Sequence, residues 1–100
     1  MLKSDCVLSL LYSNGNMYIG TFEGGLSIYN LEEQKITHHT PTKEIGSISG
    51  SIVYSLAVDN IGLIFVGTQD AGLQVFDPTK NKFSCFSNKN KKYNKKVFVF

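Results

Sequence analysis

Two acidic side chains recur at the same position and are the clearest candidates for ligand chemistry. Glu23 follows the pair Gly20-Thr21 by two residues, and Asp70 follows Gly67-Thr68 by the same interval. With the neighbouring Gln69, they are candidates for a ligand-binding rim where loops converge. The alternative is that they are ordinary solvated turn residues. Both interpretations stay open on the sequence alone.

The histidines and cysteines show no metal-binding or redox pattern. His38 and His39 are adjacent on a predicted strand, where neighbouring side chains point to opposite faces, so one ion cannot easily bind both. We expect them to be structural. Cys6 and Cys85 lie on strands of different type, too far apart to pair, and we expect both to be thiols.

Catalytic motifs are missing from the sequence as well. Gly20, Gly24 and Gly25 give a G-x-x-x-G-G spacing, which fits neither the dinucleotide fingerprint nor the phosphate-binding loop. We therefore predict no enzymatic activity, no cofactor and no metal. Gly25 and Gly72 recur where a hairpin begins its return strand, which predicts a positive φ angle at both.

Positive charge is concentrated near the end of the chain. Residues 1–88 carry five Lys and eight acids, whereas 89–100 carry five Lys and no acid. A lysine-rich segment with a tyrosine can indicate nucleic-acid binding, but there is no Arg for bidentate contacts. A solvated connector is the favoured interpretation, and we predict no nucleic-acid partner. No apolar stretch approaches the roughly 20 residues of a membrane-spanning helix, so we predict no membrane insertion.

These residues belong to an internal repeat. The segment MYIGTFEGGLSIYN, residues 17–30, returns as IFVGTQDAGLQVFD, residues 64–77, with an offset of 47. Upstream the offset falls to 46, as for Ser9 and Ser55, so the second copy has one extra residue in a turn. Asn14-Gly15 suits a two-residue type I′ hairpin, and residues 59–63 suit a three-residue bulged hairpin.

Each copy is predicted to form four short strands and almost no helix. The first copy has strands at about 7–12, 16–21, 25–30 and 34–39, and the second at about 52–58, 63–68, 72–77 and 82–87. The nearly continuous apolar character of the inner strands indicates that both faces of each sheet are covered. Ser9 and Ser55 are expected to face a central channel or to bond neighbouring backbone.

Four-stranded meanders of this length, covered on both faces, are typical of β-propeller blades. We predict an all-β fragment of a larger propeller: blade 1 at 1–45, blade 2 at 46–88, and at 89–100 a basic connector with the first strand of a third blade. Propellers close with about four to eight blades. The expected partners are therefore the remaining blades of a parent chain, or further copies associating through open blade faces.

The repeated phrase resembles the two-component regulator propeller repeat. It runs from Val7-Leu8-Ser9-Leu10 through Tyr18-Ile19-Gly20-Thr21 to Tyr29-Asn30, and from Val53-Tyr54-Ser55-Leu56 through Phe65-Val66-Gly67-Thr68 to Phe76-Asp77. The family usually has Trp where this chain has Tyr18 and Phe65.

The resemblance implies the sensor portion of a membrane-anchored hybrid histidine kinase or related regulator of Bacteroidetes type. Such a portion is extracytoplasmic or periplasmic, detects carbohydrate fragments and passes the signal to a kinase and phosphorelay that this chain does not contain. An oligosaccharide is then the expected ligand. Two alternatives stay open. One is a general propeller scaffold for protein interactions; the other is a propeller enzyme, which would need clustered acids, histidines or a cofactor-stacking Trp that this sequence does not show.

Overall fold

The structure is a computed structural model that describes residues 6–85 and the backbone of residues 98 and 99. The strands are β1 (Val7–Ser13), β2 (Asn16–Thr21), β3 (Leu26–Asn30), β4 (Lys35–His39), β5 (Val53–Val58), β6 (Ile64–Thr68), β7 (Gly72–Asp77), β8 (Lys82–Cys85) and β9 (Phe98–Val99). These described residues contain no helix, so none of them forms a helix that could cross a membrane. The predicted all-β class is confirmed.

Two antiparallel meanders make up the fold. Sheet 1 has the order β1-β2-β3-β4, and sheet 2 has the order β8-β7-β6-β5-β9. The eight strands predicted from the repeat are present, with ends that differ by a few residues at most. Each copy of the repeat therefore forms one sheet.

The hairpin turns account for the change in repeat length. Asn14 and Gly15 have φ angles of 50° and 84°, as a two-residue type I′ turn requires. In sheet 2, Asp59 N donates to Leu63 O at 3.1 Å around a three-residue loop in which Gly62 has a φ of 94°. Both predicted turns are confirmed, and the extra residue is confined to the loop.

The turns between the last two strands of each sheet also match. Asn30 and Asp77 each close a four-residue loop, with their carbonyl oxygens accepting from Gln34 N and Asn81 N at 2.8 Å. Their side chains accept further loop donors: Asn30 Oδ1 from Glu33 N, and Asp77 Oδ1 from Thr79 N and Oγ1. An Asn or Asp after the aromatic residue is therefore required by the turn.

A serine and a glycine face each other across the first two strands of each sheet. A bulge at the start of β1 and of β5 shifts the register so that Ser9 pairs with Gly20, and Ser55 with Gly67. In each pair the serine hydroxyl occupies the space that a glycine Cβ would need. Ser9 Oγ is buried without a hydrogen-bond partner, so it packs in the interior and does not bond the backbone.

The main hydrophobic core lies between the two sheets. It contains Leu11, Tyr18, Leu26 and Ile28 from sheet 1, Ile48 from the link between the sheets, and Val53, Leu56, Ile64, Val66, Phe76 and Phe83 from sheet 2. The sheets come closest at the first strands, where Cα atoms of β5 lie within 8 Å of β1 and β2. This approach is closer than the usual 10 Å between face-to-face sheets.

Away from the first strands, aromatic rings fill the space between the two sheets. Phe76 stacks at 4.6 Å from Phe83 between ring centroids, and Tyr18 meets Phe76 edge-on at 6.3 Å. His39 packs against both phenylalanines, at 5.6 Å and 5.3 Å. The inter-sheet space is therefore narrow at the first strands and filled by large side chains near the last strands.

The link, residues 40–52, runs across the edge of sheet 2 from its last strand to its first. Gly46 O accepts from Phe83 N at 2.8 Å, and Ser49 N donates to Gln74 Oε1 at 2.9 Å. Farther along, Ser51 reaches the β6–β7 hairpin. The link thus crosses β8, then β7, and enters β5.

Two residues of the segment predicted to begin a third blade are described, and that this segment starts a further blade stays a prediction. Phe98–Val99 pairs antiparallel with Ala57 and Val58 as a fifth strand of sheet 2. The physical reason is that β5 leaves one edge of backbone groups available, and a lone strand has no sheet of its own to join. Residues 1–5, 86–97 and 100, which include the predicted connector at 89–96, lie outside the described residues.

Candidate functional site

The two hairpins that carry the recurring acids meet at one residue of the link. Ser51 O accepts from Gly25 N in the β2–β3 hairpin at 2.9 Å. Ser51 N and Oγ donate to Asp70 Oδ2 in the β6–β7 hairpin at 2.9 and 3.0 Å. Glu23 and Asp70 therefore lie in hairpins at the same edge of the molecule, on either side of Ser51. We call this the hairpin edge, residues 21–25, 49–52 and 68–72.

Asp70 holds the link in place. Besides Ser51, its Oδ1 accepts from Ile52 N at 3.2 Å. These hydrogen bonds, first that of the Ser51 backbone, lower the pKa of the Asp70 carboxyl. The carboxylate therefore already has three donors from its own chain, which is what a turn residue with a structural role requires.

Glu23 and Gln69 are exposed on the same edge. Glu23 has a φ angle of 67°, in the left-handed region, so it occupies a turn position different from that of Asp70. Gln69 N donates to Ile52 O, as Phe22 N does to Cys6 O in the other hairpin. The side chains of both residues remain at the surface, where they can reach a ligand.

The glycines and threonines of these hairpins stabilise the turns. Gly25 and Gly72 have φ angles of 73° and 76°, which confirms the prediction. Thr21 Oγ1 donates to Gly25 O at 2.9 Å, and Thr68 Oγ1 to Gly72 O at 2.6 Å. The Gly-Thr motif is therefore explained by backbone geometry.

A polar cavity of about 280 Å³ lies between the link and the outer strands of both sheets. It is lined by His38, His39, Thr40, Thr42, Glu44, Ile45, Gly46, Ser47, Ile48, Asn81 and Lys82. These lining residues include a carboxylate, an ammonium group, hydroxyls, an amide and two imidazoles. None of the three sequence-predicted rim residues lines this cavity.

One wall of this cavity depends on close packing of the link against β8. Lys82 lies over Gly46, where its Cδ atom is 2.5 Å from the position that a Cβ would take. Gly46 has a φ angle of 90°, so a side chain there is disfavoured by the backbone as well. The lysine stem is thus held beside the link, with its ammonium group at the cavity.

The adjacent histidines point to opposite faces of sheet 1, as predicted. His38 Nδ1 lies 2.8 Å from Ser27 Oγ on one face, and His39 packs against Phe76 and Phe83 on the other. Within the described residues no group of three His, Cys, Asp or Glu could hold a metal ion. Cys6 and Cys85 are exposed thiols and do not pair with each other.

The position of His39 predicts a stability that depends on pH. Burial, and secondarily the neighbouring His38, lower the pKa of His39 below the usual 6.5. The unfolded chain then binds the proton more readily, so the free energy of unfolding falls as pH drops below about 6.5. Urea unfolding between about pH 7 and pH 5 should show this loss, and His39→Gln should reduce it. His38→Gln is the matched control and should retain most of it, because burial is the larger cause.

The mixture of donors, acceptors and two histidines in the cavity lining suits a polar, uncharged or mixed ligand better than a lipid or a simple anion. The sequence did not single out Glu44, Asn81 or Lys82.

Comparison with known proteins does not indicate a function for this chain. No family model matches the chain, and no curated protein is significantly similar to it.

Proposed function

We propose that the two sheets are consecutive blades of a β-propeller. The observation that carries this proposal is the close approach of the two sheets at their first strands. The backbones come within 8 Å where β5 meets β1 and β2, whereas at β4 and β8 the rings of His39 and Phe83 pack between the sheets. Blades arranged around a central axis must diverge in this way, whereas the two sheets of a sandwich stay about 10 Å apart.

The path of the link supports the same arrangement. It leaves the last strand of sheet 1, crosses the edge of sheet 2 and enters the first strand of that sheet. A chain that builds successive blades from the centre outward has to return to the centre in each repeat. Two blades cover less than a full circle, so further repeats, from this polypeptide or from other copies, must complete the ring.

For the assembled ring we propose a sensory role in two-component signalling. The repeated motif resembles that of extracytoplasmic sensor propellers, and its recurring residues have structural roles in both sheets. Phosphotransfer would belong to other parts of the signalling protein.

The proposed ligand is an oligosaccharide, bound in the polar cavity. Sugars present many hydroxyl groups, which pair with carboxylates, ammonium groups and amides. Glu44 and Lys82 are the charged residues that line this cavity, and charged partners make the stronger hydrogen bonds. The ring of His39 offers an apolar surface to a sugar face.

Titration with oligosaccharides from partially hydrolysed polysaccharides, followed by NMR chemical shifts, tests the ligand class. We expect shifts at cavity residues, and about tenfold weaker binding in Lys82→Ala or Glu44→Gln, the loss of about one hydrogen bond to a charge. The matched controls are Lys80→Ala and Glu32→Gln, which lie outside this cavity.

Equal binding by all four variants would overturn the cavity as the site. Binding that is lost only in Glu23→Ala or Gln69→Ala would place the ligand at the hairpin edge. If no oligosaccharide binds the assembled protein, whereas a protein ligand does, the scaffold interpretation replaces the sensory one.

A further inference from the structure

Sheet 1 presents a second apolar face, directed away from sheet 2. Cross-strand pairing places two rows of side chains on it: Leu10, Ile19, Ser27 and His38 in one, and Tyr12, Met17, Tyr29 and Ile36 in the other. Leu10 is 54% exposed and Tyr12 57% exposed. We call this the outer face of sheet 1.

The repeat identifies what covers such a face. The equivalent rows in sheet 2 are Leu56, Val66, Gln74 and Cys85, and Val58, Ile64, Phe76 and Phe83. Five of these side chains belong to the core between the sheets: Leu56, Ile64, Val66, Phe76 and Phe83. The outer face of sheet 1 thus corresponds, position for position, to the face that sheet 2 buries against sheet 1.

The complementary surface is also repeated in this chain. Sheet 1 contacts sheet 2 through Leu11, Tyr18, Leu26 and Ile28, whose equivalents in sheet 2 are Ala57, Phe65, Leu73 and Val75. These four lie on the outer face of sheet 2. Leu73 is 40% exposed, whereas Ala57, Phe65 and Val75 form a second buried cluster with Leu63.

We propose that the outer face of sheet 1 binds the outer face of sheet 2 of a second copy of this chain, in the register of the interface within the chain. This proposal rests on the propeller stack proposed above. The contact is head-to-tail, so repeated association builds a ring if the rotation closes and a filament if it does not. Docking must replace the contacts that bury Ala57, Phe65 and Val75 in a single chain, which weakens the association, so we expect assembly only at high protein concentration.

Two single variants and their mixture test this interface by sedimentation velocity. Leu10→Glu blocks one face and Leu73→Glu the other, and each should stay monomeric where the unaltered chain assembles. Because each variant keeps the face that the other lacks, a 1:1 mixture should form a heterodimer and nothing larger. Ile61→Glu, at a turn residue that is 70% exposed, is the matched control and should assemble normally.

Circular dichroism of each variant should show an unchanged β spectrum, which separates blocked assembly from misfolding. A mixture that stays monomeric, or a Leu73→Glu variant that still dimerises, would overturn the head-to-tail interface. So would an unaltered chain that stays monomeric up to its solubility limit. Oligosaccharide binding is measured separately, so failure of this interface and failure of the sensory role are distinguishable.

Discussion

Replacing Gly20 with alanine should destabilise the fold by about 3 kcal/mol, at the upper end for overpacking a core. A Cβ at this position would meet the Ser9 hydroxyl and would lie 2.7 Å from both Val53 O and Val53 Cγ1. Val53 is fully buried at the start of β5 and belongs to the other sheet. The new methyl group would therefore push the two sheets apart where they are closest. The midpoint and slope of urea unfolding measure the loss.

Gly67 is the matched control, since it occupies the same position in the second copy. A Cβ there would clash only with the Ser55 hydroxyl, a side-chain atom that can move. Gly67→Ala should cost about 1 kcal/mol, and Ser55→Gly should rescue it. Ser9→Gly should not rescue Gly20→Ala, because the Val53 carbonyl remains. Equal costs at both glycines would contradict the close inter-sheet approach.

The strands and turns could be predicted because local chemistry determines them. The type I′ turn requires two positive φ angles, which Asn14-Gly15 adopts and few other dipeptides do. The one-residue difference between the repeats could be assigned to residues 59–63 from the later glycine alone. Ser9 and Gly20 were visible as repeated residues, yet their contact was not. It depends on a bulge that shifts the register, and the bulge has no sequence marker.

The hairpin edge was predictable only in part. The equal spacing of Glu23 and Asp70 correctly placed both acids in equivalent hairpins at one edge. Their difference in role was not predictable, because Asp70 bonds Ser51 and Ile52, which are 18 or 19 residues away in sequence. Such contacts depend on how the link crosses sheet 2.

The polar cavity could not be predicted, for the same physical reason. Glu44 and Lys82 are 38 residues apart and become neighbours only because Gly46 O bonds Phe83 N. One signal was present: the link at 43–51 is rich in Gly and Ser, which permits close packing against a strand. To predict which strand the link follows, one must know how the two sheets are placed relative to each other.

Phe76→Ala should destabilise the fold by about 4 kcal/mol, the usual cost of removing a buried phenylalanine. The ring contacts Tyr18, His39 and Phe83, and it is 3% exposed. A domain of this size has a free energy of unfolding of about 5–15 kcal/mol in total. The variant should therefore have little stability left at 37 °C. Thermal unfolding followed by circular dichroism measures the effect.

Tyr29→Ala provides the control, because Tyr29 is the repeat equivalent of Phe76 and lies on the half-exposed outer face of sheet 1. In dilute solution, where the chain is monomeric, its loss should cost below about 1 kcal/mol. At high concentration the same change should weaken assembly, because the proposed interface buries Tyr29 as the chain itself buries Phe76. A single substitution that alters stability only through association would therefore connect the symmetry of the repeat to the completion of the ring. A loss of stability at every concentration would instead assign Tyr29 to the core of the single chain.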